Sequence, residues 1–288
     1  DGDGYWPALL QRGRIASEQG RYDDAIAHLV HVSTNGESRA HAARAACELG
    51  WVYRRQGRED EAVAQFSRFI ARYPESRFAD RVEFHLGETY MNMHDYRRAY
   101  STFAHLANER TSSPLSSESV YWAALGAFRM GDTAGAYATL TGGWRRVAES
   151  DTASEAFLLR GDCLRIMGDM TNALGFYAEL AARDSNAHVG VEARFSMAEC
   201  YAALGRGKEA EALYEELTRD ALEVNRARAY LGLGDVLAAR GEPQDAIGAW
   251  LHVIYDYREM TALFNDAIDR AGEMYEKLGE PGRAALVY

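Results

Sequence analysis

One alanine recurs along this chain at almost constant spacing, and no other feature limits the fold so tightly. Ala25, Ala62, Ala99, Ala136, Ala173, Ala210, Ala246 and Ala284 follow one another at 37 residues five times, then at 36 and 38. Five residues before each alanine stands a glycine, at Gly20, Gly57, Gly131, Gly168, Gly205, Gly241 and Gly279, with His94 filling the third slot. Twelve residues before it stands a small residue: Gly13, Gly50, Gly87, Ala124, Gly161, Ala198, Gly234 or Gly272. Four residues after it comes a large one: Leu29, Phe66, Phe103, Leu140, Tyr177, Tyr214, Trp250 or Tyr288. A fixed period of this length marks a stack of supersecondary units, each too small to bury its apolar face alone.

The columns translate into a helix hairpin. A glycine ends the first helix, because only glycine enters the left-handed conformation cheaply. Small residues on two antiparallel helices let their axes approach, and the large residue one turn later fills the groove beside the contact. Pro243 and Pro281 fall in the first turn of a second helix, where a missing N–H costs nothing. The spacing predicts helices over Tyr5–Glu18 and Tyr22–Ser33, repeated as pairs. The distance from small residue to alanine never varies, so the 36 and 38 spacings belong to the links between hairpins. Gly142–Gly143 lies inside a second helix, each glycine costing about 1 kcal/mol against alanine, and predicts a break or kink there.

Length would normally bound the number of domains, but a stacked repeat grows without a new core, so residues 1–288 read as a single solenoid. The net charge of -11 argues against a nucleic-acid surface, since phosphate binding needs surplus Lys and Arg. No apolar run is long enough to be a transmembrane segment. The chain opens on Asp1-Gly2-Asp3-Gly4 without a Met, which leaves any targeting segment out of view, and it stops at Tyr288 partway through a second helix, so the last repeat reads as truncated.

Gly50, Tyr53, Ala62, Phe66 and Pro74 match the slots of the tetratricopeptide repeat (TPR), and the chain resembles that family throughout. The resemblance implies an all-α, right-handed superhelical solenoid of about eight helix hairpins, acting as a protein-protein interaction scaffold. Two departures stand out: the period is near 37 instead of the usual 34, and the early Trp slot holds Ala46, Glu83 and Arg194 in three units. The stretch from Gln65 to Tyr90 is similar to bacterial envelope TPR proteins, including the TolA-binding periplasmic coordinator and the outer-membrane barrel-assembly lipoprotein. That likeness implies a periplasmic or membrane-associated place in a larger bacterial envelope complex, with a cytoplasmic one as the alternative.

One residue after the small position the column reads Arg14, Trp51, Glu88, Leu125, Asp162, Glu199, Asp235 and Glu273, charged except at Trp51 and Leu125. In TPR proteins this side of the first helices faces the concave groove, and the resemblance implies the same here. Around Trp51 it places Arg54 and Arg55, then His85, Glu88 and Met91, then Trp122, Leu125, Phe128 and Arg129. Trp and Arg are enriched at binding hot spots, so this set is the candidate groove for a protein or peptide partner, although Trp122 and Phe128 are equally explained by packing on a neighbouring helix. The acidic half of the column reads as a solvated face. Three residues before the small position, Phe84 and Tyr121 fall in an apolar column and read as core.

The lysine set with which chaperone-binding relatives hold a terminal carboxylate is absent from the first three units. No metal, phosphate-loop or nucleophile motif is present. His28 and His31 share a helix face without a third ligand at helical spacing, and Cys47, Cys163 and Cys200 read as small core residues. The chain is therefore expected to be no enzyme and to need no cofactor and no metal. The alternative is an architectural segment of a larger enzyme whose catalytic domain lies elsewhere.

Overall fold

The computed structural model describes residues 4–36, 38–184, 188–220 and 222–288; Asp1–Asp3, from the opening run noted above, lie outside them. Among the described residues there are sixteen α-helices and no strand. They form eight successive hairpins: α1 (Tyr5–Glu18) with α2 (Tyr22–Asn35), α3 (Arg39–Arg55) with α4 (Glu59–Arg72), α5 (Ala79–Asn92) with α6 (Tyr96–Glu109), and α7 (Ser116–Arg129) with α8 (Thr133–Val147). Then follow α9 (Ala153–Ile166) with α10 (Met170–Arg183), α11 (His188–Ala203) with α12 (Gly207–Leu217), α13 (Glu223–Ala239) with α14 (Pro243–Asp256), and α15 (Thr261–Lys277) with α16 (Pro281–Val287). The chain forms two compact units, Asp1–Ala156 and Phe157–Tyr288, whose boundary falls inside α9. In the first unit each helix from α1 to α8 packs on the next; in the second the same holds from α10 to α16.

Every hairpin turns in the same way. Among the described residues seven glycines have positive φ, between 71° and 86°, and all seven belong to the anchor column. The residue after each anchor donates its N–H to a carbonyl five residues before the anchor's successor, as in Arg21 to Ala16 at 2.8 Å and Asp132 to Ala127 at 3.0 Å, which satisfies the last carbonyls of the first helix. His94 is the one non-glycine with positive φ among the described residues, at 58°. Its ring is tied to Tyr96 Oη at 2.8 Å, an exposed contact that offsets little of the strain. His94→Gly is therefore expected to stabilise the protein by about 1 kcal/mol, measured by denaturant unfolding. A loss of stability would contradict this assignment of strain.

The contact between the two helices of a hairpin is set by the small and large columns. A Cβ built on Gly50 would lie 2.2 Å from Phe66, one on Gly87 2.6 Å from Phe103 and one on Gly161 2.5 Å from Tyr177. The alanine column is fully enclosed, and the large residues from Leu29 to Trp250 are buried, Tyr288 alone being exposed. The unusual Trp slots are filled from the opposite helix. Gln65 donates to the Ala46 carbonyl at 3.1 Å, and buried Glu83 meets His105 at 2.6 Å. Burial raises the Glu83 carboxyl above its usual range, with the attraction of His105 working against it.

The break expected at Gly142–Gly143 does not occur. Helix α8 runs through both glycines from Thr133 to Val147, because Gly143 is where Val120 of α7 enters: a Cβ there would lie 2.4 Å from Val120 Cγ1. Close packing on α7 outweighs the local propensity cost. The second hairpin helix α2 extends to Asn35, two residues past the expected Ser33.

Candidate functional site

The odd-numbered helices of the first unit lie alongside one another and exchange side chains directly. Arg14 of α1 meets Glu48 of α3 at 3.7 Å, Arg55 of α3 donates to Ser17 Oγ of α1 at 3.3 Å, and Arg54 of α3 donates to Glu88 of α5 at 2.8 Å. Trp51 of α3 is wedged at the centre. Its ring lies edge-on to His85 with centroids 3.8 Å apart, touches Phe66 beneath, and carries the Arg54 guanidinium at 5.3 Å.

Trp51 therefore has the packing role that the sequence did not disclose: it is half-buried, not fully exposed, because the position after the small residue borders the next odd helix. Glu88 is held between Arg54 and His85, the latter with Nδ1 at 2.6 Å. Burial alone would raise the Glu88 carboxyl, but these two hydrogen bonds outweigh it and bring it below its usual range. Burial pushes His85 down, against the pull of Glu88, so its imidazole favours the neutral form. In that form Nδ1 carries the proton and donates to the carboxylate.

The remaining candidates lie on α5 and α7. Met91 and Trp122 are half-buried against the core that includes Phe103; Trp122 stacks on Phe103 at 5.8 Å and donates Nε1–H to Glu118 at 3.1 Å. Leu125 and Phe128 are half-buried, and Arg129 is exposed with no ion-pair partner among the described residues. Packing on neighbours thus accounts for much of Trp122. Phe84 is core as expected, whereas Tyr121 is only half-buried.

Beside Trp51 the surface opens into a cavity of about 300 Å³ lined by Arg14, Ser17, Glu48, Arg55, Arg81 and His85, among others. Four of these were not singled out from the sequence. Column arithmetic identifies three: Arg14, Ser17 and Glu48 stand one repeat before Trp51, Arg54 and His85, and Arg81 stands one helical turn before His85. The cavity offers one broad indole edge, a neutral imidazole and arginines in excess of carboxylates, a set suited to aromatic and acidic groups.

The corresponding face of the second unit is paired across helices as well. Asp162 accepts from Tyr177 Oη at 2.7 Å, Arg165 lies 3.9 Å from Asp162 and 3.4 Å from Glu199, and Asp235 pairs with Arg270 at 2.9 Å. Cys47, Cys163 and Cys200 are buried, and burial pushes their thiols up to about 11, about 12 and about 11. They are core residues with no thiolate to offer near neutral pH. His31 stacks on Trp6 at 5.6 Å instead of facing His28 across a metal, and no group of three metal-ligating side chains stands together among the described residues.

Comparison with known proteins agrees with this architecture. Family models described as tetratricopeptide repeat match residues 7–75 and 201–258. No curated protein sequence matches. A TPR protein from Parabacteroides merdae superposes with a TM-score of 0.60 at 14% identity, covering 91% of this chain and 98% of its own. YrrB, a TPR protein with an unusual peptide-binding site, gives 0.52 at 18% identity over 70% of this chain and 96% of its own. The Pseudomonas aeruginosa protein pilF gives 0.54 at 15% identity over 79% and 97%.

Proposed function

Because the chain is a tetratricopeptide repeat protein, we propose that it is a non-catalytic scaffold that binds an extended or helical segment of a partner protein on the odd-helix face of its second to fourth hairpins. One observation carries this reading: Trp51, Arg55, Arg81 and His85 converge on one cavity of the odd-helix face. A half-buried Trp flanked by Arg is a typical anchor, since its ring is already ordered and loses little entropy on binding. Aromatic and acidic side chains are the partner chemistry that fits. YrrB, which has the same fold and a peptide-binding site, supports use of the fold in this way. The likeness of Gln65–Tyr90 to envelope TPR proteins supports a place in a bacterial envelope assembly.

The test begins with a partner captured from the native extract and proceeds to affinities. Trp51→Ala and Arg55→Ala are expected to weaken binding at least about tenfold, while Glu199→Ala leaves it unchanged. Arg55 is exposed, so its variant separates lost contact from lost folding. Normal binding by both variants, with loss on Glu199→Ala, would move the site to the acidic unit and sink the proposal.

A further inference from the structure

A second cavity, of about 720 Å³, lies where the start of α3 meets the link between α4 and α5, and it has no lining residue in common with the cavity beside Trp51. Its walls include Tyr73 and Phe78, and its rim carries Arg39, Arg44 and Arg77 together with His41. On a chain with 43 carboxylates against 32 lysines and arginines, many arginines find an acid, as Arg54 does in Glu88 and Arg270 in Asp235. These three do not: none has an ion-pair partner among the described residues, and the one lining carboxylate, Glu75, is exposed and unpaired as well. His41 adds a second sign of a missing partner, because its Nδ1 is buried with no hydrogen bond. A buried polar atom left unpaired costs about 1–3 kcal/mol, which a ligand group meeting the His41 ring would recover.

Two of the guanidinium groups are also held in place. Arg39 lies over the buried Tyr73 ring at 5.7 Å and donates to the Arg72 carbonyl at 3.1 Å, and Arg77 lies over Phe78 at 4.8 Å. Clustering unneutralised like charges is unfavourable, and fixing them on rings removes part of the ordering cost that an incoming anion would otherwise meet. Nucleic acid is the poorer match: the cavity walls are partly apolar, and a polyanion needs an extended basic surface that a chain of net charge -11 does not supply.

We propose that this cavity is a separate docking site for an acidic peptide segment of a partner protein, its carboxylates held by Arg39, Arg44 and Arg77 and an adjacent apolar side chain lodged against Tyr73 and Phe78. Guanidinium–carboxylate pairs supply direction, and the aromatic walls select against a bare acidic chain.

Fluorescence polarisation with a dye-labelled peptide of alternating glutamate and phenylalanine reads the site directly. Wild-type protein is expected to bind it, and the Arg44→Gln/Arg77→Gln double variant to bind it at least about tenfold more weakly, with unchanged melting. Exchanging glutamate for glutamine in the peptide should weaken binding to the same degree. Trp51→Ala should leave it unaffected, which separates this site from the odd-helix face. Failure of wild-type protein to bind, equal binding by the double variant, or equal binding of the glutamine peptide overturns the proposal. So does tighter binding of a single-stranded oligonucleotide or of phosphatidylserine vesicles than of the peptide, if lost in the same double variant.

Discussion

Phe66→Ala is expected to lower the unfolding free energy by about 3–5 kcal/mol, the largest single effect anticipated for this chain. Phe66 is fully enclosed, lies against Gly50 within its own hairpin and meets Trp51 on the partner-facing side. Truncation removes its transfer free energy and leaves a cavity that two antiparallel helices cannot collapse without tilting. The pairing with Gly50 makes a sharper statement. In the native background Gly50→Ala puts a Cβ 2.2 Å from the ring and is destabilising. In the Phe66→Ala background that methyl enters empty space, and alanine's helix propensity, about 1 kcal/mol over glycine, is recovered. Denaturant unfolding of the four proteins should therefore give a double-mutant coupling in which the second substitution changes sign. Additive costs would mean that the small and large columns do not form the contact assigned to them.

Ala173→Leu is expected to cost about 3 kcal/mol, the upper end for overpacking, because Ala173 is wholly buried at the hairpin contact and three added carbons have no space. Two residues further along α10, Gly175 faces open space, so Gly175→Ala should instead add up to about 1 kcal/mol. Circular dichroism melts of the two variants, compared side by side, read the difference in sign. Equal effects would remove the alanine column from the core.

These expectations follow from what repetition makes legible. A turn glycine or a close helix contact has its cause within one hairpin, so copies of the same cause stand in column, and the helix pairs, anchor glycines and buried alanines could be read directly. Contacts across hairpins leave no such trace. Arg54 reaches Glu88 across 34 residues, a pair that recurs at Arg165–Glu199 but not in every unit, and Arg55 reaches Ser17 across 38, so the wedged state of Trp51 was hidden. Gly142–Gly143 failed in the opposite direction: local propensity spoke for a break, while the deciding atom, Val120, belongs to another helix. The arginine-rimmed cavity escaped for a third reason, since it joins a loop to a helix start and belongs to no column.

Hydroxyl-radical footprinting of the protein with and without its partner tests the binding-face claim most directly, because Trp51, His85, Met91, Trp122 and Phe128 are half-buried side chains of types that oxidise readily. Partner binding is expected to protect these residues on α3, α5 and α7 while leaving exposed Tyr255 on α14 as reactive as before. Protection confined to the second unit, with Trp51 and His85 unchanged, would contradict the account.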